Sequence, residues 1–464
     1  MLPIILLSVF GLVALFLGFQ KSKNILLPAT LLFIALALVA NFVYWNDAPG
    51  LYYHEMLFEN RLTMSFSAIV LASAFFIVAL TRGFADDEMA QPAEYYAIML
   101  FSLVGAMMMI GFDNLIMLFL GVEILSVSMY VLTGSDKRNT RSNEAALKYF
   151  LMGAFATGIM LFGMALLYGA AGSFNLSDIK GYIGANSANI STLLYVGLLL
   201  VLIGMLFKVS AAPFHFWTPD VYDGAPTIFT AFMSTIVKTA GFAAIYRLLA
   251  NSFGDLYSFW WLTLAAIAIM TLVVGNITAV YQQSFKRMMA YSSISHAGYL
   301  LLSLTAMKSQ SANALIFYSL AYSLATISAF GVLMAVAREQ SVQSNENAED
   351  FTAFNGLGKR NPLLAFALTV SMLSLAGIPL TAGFWGKFFI FGNVAERGNL
   401  TWILIIAILM SAVGIYYYFK VIIAAYMKEG SVSPLRVSPF YRLVLIITTS
   451  LTLLFGLLPD LLPR

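Results

Sequence analysis

An all-α, polytopic membrane protein of about fourteen transmembrane helices is the fold class that this sequence predicts. Three observations predict it. Of the 464 residues, 61% are hydrophobic and only 10% charged, with a mean hydropathy of +0.86, a balance that belongs to chains lying in lipid. Apolar runs of roughly 18 residues or more recur from end to end, each long enough to cross a bilayer as a helix. Two of them, around Lys208 and Pro213 and around Pro379 and Lys387, combine proline with a lysine at membrane depth.

Taken in order, the spans are expected near 2–20, 24–45, 62–80, 95–112, 114–134, 143–170, 191–216, 226–250, 257–282, 285–306, 311–337, 362–394, 400–427 and 440–459. The run from Met1 to Gln20 lacks a basic start and a small-residue cleavage site, so it reads as an uncleaved first span. Loops are short, the longer ones being 46–61, 81–94, 171–190 and the polar stretch 339–350. Spans 7 and 12 fill out to about 35 residues, too long for one straight crossing at ~20 residues. Pro213 removes a backbone donor and kinks span 7 five residues after Lys208. Pro379 follows Gly377 in span 12. Interrupted helices 7 and 12 in corresponding, oppositely oriented positions indicate inverted five-helix repeats. The expected organisation is a three-helix segment over 1–93, a first repeat (spans 4–8) over 94–250, a second inverted repeat (spans 9–13) over 251–428 and a C-terminal helix over 429–464.

Charge sets orientation. Lys21, Lys23, Arg82, Lys137, Arg138, Arg141, Lys286 and Arg287 are among the many basic residues following odd-numbered spans, whereas the other side holds Arg61, Lys180, Arg247, Lys308, Arg397 and Arg464. Odd spans therefore run inward, and both termini face outward. The remaining basic residues, Lys148, Lys208, Lys238, Lys387 and Lys420, fall within spans, so the accounting leaves only lysines in the membrane. Glu123 alone among the acids sits squarely inside one. The net charge of +3 is small and its basic residues are spread over loops, which excludes a nucleic-acid surface. With no cysteine there is no thiolate-ligated cluster and no disulfide, and His54, His215 and His296 are too scattered for a metal site.

An ammonium in the middle of a span costs about 2.5–3.5 kcal/mol on insertion scales, so each intramembrane lysine points to function. Burial favours the neutral amine and a nearby carboxylate favours the ammonium, so a buried lysine can alternately hold and release a proton. If Glu123 and Lys208 approached to ~4 Å, the pair would gain about 4 kcal/mol at an effective dielectric of ~20. Lys238 and Lys387 could hand the proton on, with His296 as an intermediate carrier. Each residue also has a structural reading. Glu123, Lys208 and Lys148 can tether helices, Lys420 can anchor at the interface, and His296 can bond helix neighbours. His215 is expected to cap carbonyls freed at the break, while Asp220 and Asp223 are expected to satisfy the N-terminus of span 8, with Pro226 in its first turn.

Three long motifs occur in order: Lys208 with Pro213-Phe-His-Phe-Trp-Thr-Pro-Asp220, then Phe285-Lys-Arg-Met-Met-Ala-Tyr-Ser-Ser-Ile-Ser-His296-Ala-Gly-Tyr299, then Gly377-Ile-Pro-Leu-Thr-Ala-Gly-Phe-Trp-Gly-Lys387. They resemble the antiporter-like membrane subunits of respiratory complex I, and the resemblance covers nearly the whole chain. Within that family Asp220-Val-Tyr-Asp-Gly-Ala-Pro-Thr227 is similar to the N branch. Chains L and M carry different residues after this break, chain M usually has a glutamate in place of Lys387, and chain L has a lateral helix beyond the point where this sequence ends.

The resemblance implies a proton channel built on Glu123, Lys208, Lys238 and Lys387, with Lys148 as a further lysine on span 6. It also implies that NADH, FMN, iron–sulfur clusters and quinone belong to other subunits, and that quinone reduction there drives this chain. Chain M and the small chains K and J would be its membrane neighbours, and a bacterial inner membrane its location. A related cation/proton antiporter remains an alternative, which a purified assembly lacking flavin and iron would favour. So do the membrane arm of a hydrogenase-type complex and a structural spacer whose lysines only tether helices.

Overall fold

The computed structural model describes residues 1–82, 91–308, 310–342, 349–430 and 433–461. The 81–94 loop and the 339–350 stretch lie partly, and Arg464 wholly, outside the described residues. In chain order the helices are α1 (Leu2–Leu17), α2 (Leu26–Val43), α3 (Arg61–Leu80), α4 (Pro92–Gly111), α5 (Leu115–Thr133), α6 (Thr140–Ala171), α7 (Leu176–Ala185) and α8 (Thr192–Lys208). After a break come α9 (Trp217–Gly224) and α10 (Thr227–Phe232), which a π-turn, Met233–Val237, joins to α11 (Lys238–Asn251). The chain continues through α12 (Tyr257–Val280), α13 (Phe285–Ala306), α14 (Ser311–Val342), α15 (Leu357–Arg360), α16 (Pro362–Ala376), α17 (Ala382–Ala395), α18 (Thr401–Met427) and α19 (Pro439–Leu457). Among the described residues, ten helices are long and apolar enough to cross a membrane. The protein is all-α and polytopic.

The chain divides into two compact units. One comprises Met1–Trp217 and Ile236–Thr263, the other Thr218–Thr235 and Leu264–Arg464. In the first, α4 packs on α5 and α6 on α8. The α6–α8 crossing is close because Gly163 and Gly197 face one another: a Cβ on Gly163 would lie 2.8 Å from the Gly197 carbonyl oxygen. Without a hydrophobic drive between helices in lipid, such small-residue contacts let backbones approach and supply the packing. In the second unit, α14 packs against α16, α17 and α19. Buried serines, threonines and tyrosines line its interior.

Several elements differ from expectation. The 46–61 loop holds a hairpin, β1 (Gly50–Tyr52) paired antiparallel with β2 (Leu57–Glu59), with Leu51 opposite Phe58. Its turn runs through Tyr53, His54 and Glu55, all at positive φ. The 171–190 loop holds α7, whose Leu176, Ile179 and Ile183 are buried at helical spacing. Pro213 does not kink a continuous helix: α8 ends at Lys208 and helix resumes only at Trp217. Asp220 and Asp223 lie within α9 rather than capping the next helix, and Pro226 is the N-cap residue of α10. Lysines are also not the only buried cations, since Arg247 and Arg360 are more than nine-tenths buried beside Lys208, Lys238, Lys286 and Lys387. Arg247, expected on the outer side, lies within α11, four residues before its end.

Candidate functional site: two broken helices and their buried cations

In the first unit, Lys208 is the last residue of α8 and is 3% exposed. Its Nζ donates to Ser126 Oγ on α5 at 2.7 Å and reaches Tyr149 OH on α6 at 3.4 Å. The Tyr149 ring is stacked on Trp217 at 4.5 Å and 7°, and meets Tyr130 edge-on at 4.7 Å. Trp217 in turn donates its indole N–H to the Phe207 carbonyl at 3.0 Å, which also accepts from the Ser210 N–H where α8 stops. The break thus places a lysine, two phenols and an indole together. Ser210 inside it adopts φ 64°, in the left-handed region that is costly for a non-glycine residue, by about 1–3 kcal/mol.

Glu123 lies one turn before Ser126 on α5, with Oε1 buried and without a hydrogen-bond partner. Among the described residues no ion pair joins Glu123 to Lys208, whose ammonium rests on hydroxyls instead. Glu123 Oε1 thus keeps unused acceptor capacity on the same helix as Ser126, whose hydroxyl receives the Lys208 ammonium. Lys238 opens α11 directly after the π-turn and is 2% exposed. π-turns leave backbone groups out of register and recur at functional positions. Lys148 is placed differently. It is 39% exposed and pairs at 2.7 Å with Glu144 one turn earlier on α6.

His215 leaves Nδ1 buried without a hydrogen-bond partner, its ring tilted on Phe216. Within α11, Arg247 donates Nε to the Phe112 carbonyl and lies 3.2 Å from Asp113 Oδ1, with its guanidinium 4.9 Å from the Phe58 ring centre. Burial pushes the Asp113 carboxyl up, against the opposing pull of Arg247.

The second unit repeats the theme. α16 ends at Gly377, and α17 starts at Ala382 after Pro379 and Leu380, the latter at φ 74°. Gly383 is obligatory here: a Cβ would lie 1.8 Å from the Ser374 carbonyl oxygen. Lys387, 6% exposed, turns back to donate Nζ to the freed Ala376 carbonyl at 2.8 Å and to Ser411 Oγ at 3.0 Å. Its ammonium also lies 4.7 Å from the Tyr299 ring centre, a cation–π distance. His296 on α13 has both ring nitrogens engaged, Nδ1 with Tyr318 OH at 2.6 Å and Nε2 with Tyr418 OH at 3.0 Å. Tyr418 OH is also 2.5 Å from Ser292 Oγ, and Tyr322 donates to Ser293 Oγ at 2.9 Å.

A neutral imidazole has one donor and one acceptor, so one phenol must give its proton to the ring while the other receives. Such a chain can be polarised in either direction.

At one end of this unit, Arg287 reaches Asp220 Oδ1 at 3.1 Å and Asp223 Oδ2 at 3.8 Å. Lys286 donates to the Ala225 carbonyl at 2.7 Å and lies 3.0 Å from Glu349 Oε1. The 220–227 run is therefore tied to α13 by ions. Lys420 donates to the Val280 carbonyl at the end of α12, at 3.1 Å, which suits an anchoring cation.

Sequence reasoning missed Ser126, Tyr149, Tyr318, Tyr418 and Ser411. Helical spacing from Glu123 pointed to Ser126; nothing local marked the others.

Buried amines seated at broken helices, beside hydroxyl chains within an all-helical membrane fold, define an antiporter-like proton-translocating protein. Residues 113–414 match the family described as NADH:quinone oxidoreductase/Mrp antiporter, transmembrane. NADH-quinone oxidoreductase subunit N of Cytophaga hutchinsonii is 42% identical over 463 residues, covering 99% of this chain and 98% of that one. A chain of respiratory complex I from Thermus thermophilus, solved with bound aureothin, superposes with a TM-score of 0.84 at 35% identity, covering 99% of this chain and 98% of its own. A chain of the Mrp complex from Dietzia, at 19% identity, has a TM-score of 0.87 over 99% of this chain and 94% of its own, a likeness of fold alone. The chain belongs to this family, in the branch of NADH-quinone oxidoreductase subunit N.

Proposed function

We propose that this chain translocates protons within an NADH:quinone oxidoreductase along Glu123, Lys208 and Lys238 in the first unit and His296 and Lys387 in the second. The observation that carries the proposal is the seating of Lys208 and Lys387. Each is buried beside a helix break, Lys208 as the last residue of α8 and Lys387 in the second turn of α17, and each donates to a neutral hydroxyl with a tyrosine ring alongside. At an insertion cost of about 2.5–3.5 kcal/mol apiece, tethering alone is a poor reason to retain them.

The steps follow from the groups. Lys208 loses a proton when its hydroxyl contacts reorient, Glu123 Oε1 is free to accept one, and Ser126 and Tyr149 can each pass a proton by exchanging donor and acceptor roles. His296 takes a proton at one nitrogen and yields one at the other, because both are already hydrogen-bonded. Lys387 donates to the freed Ala376 carbonyl more strongly as an ammonium than as a neutral amine, which couples its protonation to the geometry of the second break. Lys148, exposed and paired with Glu144, serves at most at the rim of this path.

In this reading the chain does no redox chemistry. NADH, FMN, iron–sulfur clusters and quinone are handled by other subunits, and chains M, K and J are its membrane neighbours. Both termini face the outer side of a bacterial inner membrane. The test is NADH-driven proton uptake in membrane vesicles, comparing wild type with Lys208→Ala and Lys238→Ala at equal assembly. Loss of NADH oxidation together with pumping is expected. Wild-type pumping in both variants would overturn the relay.

A further inference from the structure

A cleft of about 360 Å³ in the second unit lies between the start of α14 and the end of α17, away from the second break. It is lined by Phe317, Phe388 and Phe389 and by the polar Asn313, Asn393 and Glu396, of which Asn393 is buried and Glu396 exposed at the rim. The size is that of a ligand site. Two independent features say what it would take.

The first is an unsatisfied donor. Asn393 is 6% exposed, and its Nδ2 has no hydrogen-bond partner, although it lines the cleft. Buried amide donors are nearly always paired, so this one calls for an acceptor from outside the chain. The other lining amide is already used, since Asn313 Nδ2 donates to Gln310 Oε1 at 3.0 Å.

The second is negative charge. Glu396 is the C-cap residue of α17 and is exposed, so its carboxylate adds to the partial negative charge at a helix C-terminus. A ligand that satisfies all three parts has an ammonium for Glu396, an acceptor oxygen for Asn393 and an apolar portion for the phenylalanines.

We propose that this cleft binds one phospholipid with a primary-amine headgroup, a phosphatidylethanolamine, with its ammonium on Glu396, a phosphate oxygen on Asn393 Nδ2 and acyl chain over Phe317, Phe388 and Phe389. The cleft sits where two apolar helices end, the depth at which a headgroup meets its chains. A primary ammonium suits the site better than a quaternary one, because it has three N–H donors for a carboxylate.

The experiment uses the intact purified complex and a phosphatidylethanolamine carrying a photoreactive acyl chain, with labelled peptides read by mass spectrometry. Labelling of the peptides holding Phe317 and Phe388 is expected, displaced by unlabelled phosphatidylethanolamine and poorly by phosphatidylcholine. In Glu396→Gln, whose exposed position leaves assembly intact, labelling falls about tenfold, as the loss of one charge-assisted hydrogen bond dictates. Asn393→Leu lowers it as well. Labelling equal in wild type and Glu396→Gln, displacement as effective by phosphatidylcholine, or no labelling of these peptides would each overturn the proposal.

Discussion

Replacing His296 with glutamine separates proton transfer from structure. The imidazole sits between Tyr318 OH at 2.6 Å and Tyr418 OH at 3.0 Å, donating through one nitrogen and accepting through the other. A glutamine amide also offers one donor edge and one acceptor edge, so it can keep at least one of these bonds. Losing the other costs about 0.5–1.5 kcal/mol, small beside a typical stability of ~5–15 kcal/mol, and the subunit should assemble. What glutamine cannot do is accept a proton near neutral pH. If His296 is an obligatory carrier, the barrier to transfer rises by at least about 1.4 kcal/mol and the rate falls tenfold or more. The assay is formation of a pH gradient by inverted membrane vesicles on NADH addition, normalised to assembled complex on native gels. NADH oxidation is followed in the same sample. Tyr418→Phe is the companion, since it deprives both Nε2 and Ser292 Oγ of a partner and should lower pumping further than its assembly defect explains. Assembled His296→Gln complex pumping at the wild-type rate would show that the histidine only holds α13 to α14 and α18, and would remove it from the path.

Gly383→Ala places a methyl group 1.8 Å from the Ser374 carbonyl oxygen, so the second break cannot close; assembled complex on native gels should be strongly reduced, whereas Gly392→Ala, where nothing lies within 4 Å, should be neutral. Trp217→Phe keeps a ring against Tyr149 and leaves the Phe207 carbonyl its bond from the Ser210 N–H, so loss of the indole hydrogen bond should cost about 0.5–1.5 kcal/mol, read as a lowered Tm of the purified complex. Arg247→Ala strips the Phe112 carbonyl and Asp113 of a buried cation and should destabilise by about 3–5 kcal/mol, measured by loss of assembled complex. Lys148→Ala removes an exposed pair one turn apart, worth about 0.3–0.5 kcal/mol, and should leave assembly unchanged and pumping near wild type.

Those predictions divide along the line between what one dimension of sequence reveals and what it hides. Membrane spans are legible because lipid offers the backbone no partners, so each crossing must be a long apolar helix, and hydropathy alone finds it. Lys208, Lys238 and Lys387 are legible for the converse reason: a cation is too costly in an apolar run to be incidental. The breaks are only half legible. Pro213 and Pro379 announce an interruption, yet helix stops before each of them, at Lys208 and at Ala376. Side chains from beyond each break then meet the carbonyls there: Trp217 shares the Phe207 carbonyl with the Ser210 N–H, and Lys387 takes up the Ala376 carbonyl. α7 and the hairpin escaped because both lie in loops too short and polar for a span-length window to register.

The partners of the buried amines were hidden for a different reason. Serine and tyrosine are cheap enough in a membrane helix that their presence carries no surprise, and most bond their own helix: Ser126 Oγ also donates to the Val122 carbonyl one turn back, as any helical serine can. Only the fold distinguishes Ser126, which faces Lys208, from Ser128, which donates to the Ile124 carbonyl and meets no amine. The same holds for Tyr318 and Tyr418, from helices far apart in sequence, which become a pair only because His296 lies between them. A proton path needs groups that can both give and accept, and hydroxyls do so without charge. The residues that hold a charge are therefore conspicuous in the sequence, and those that pass it on are recognisable only by what they touch.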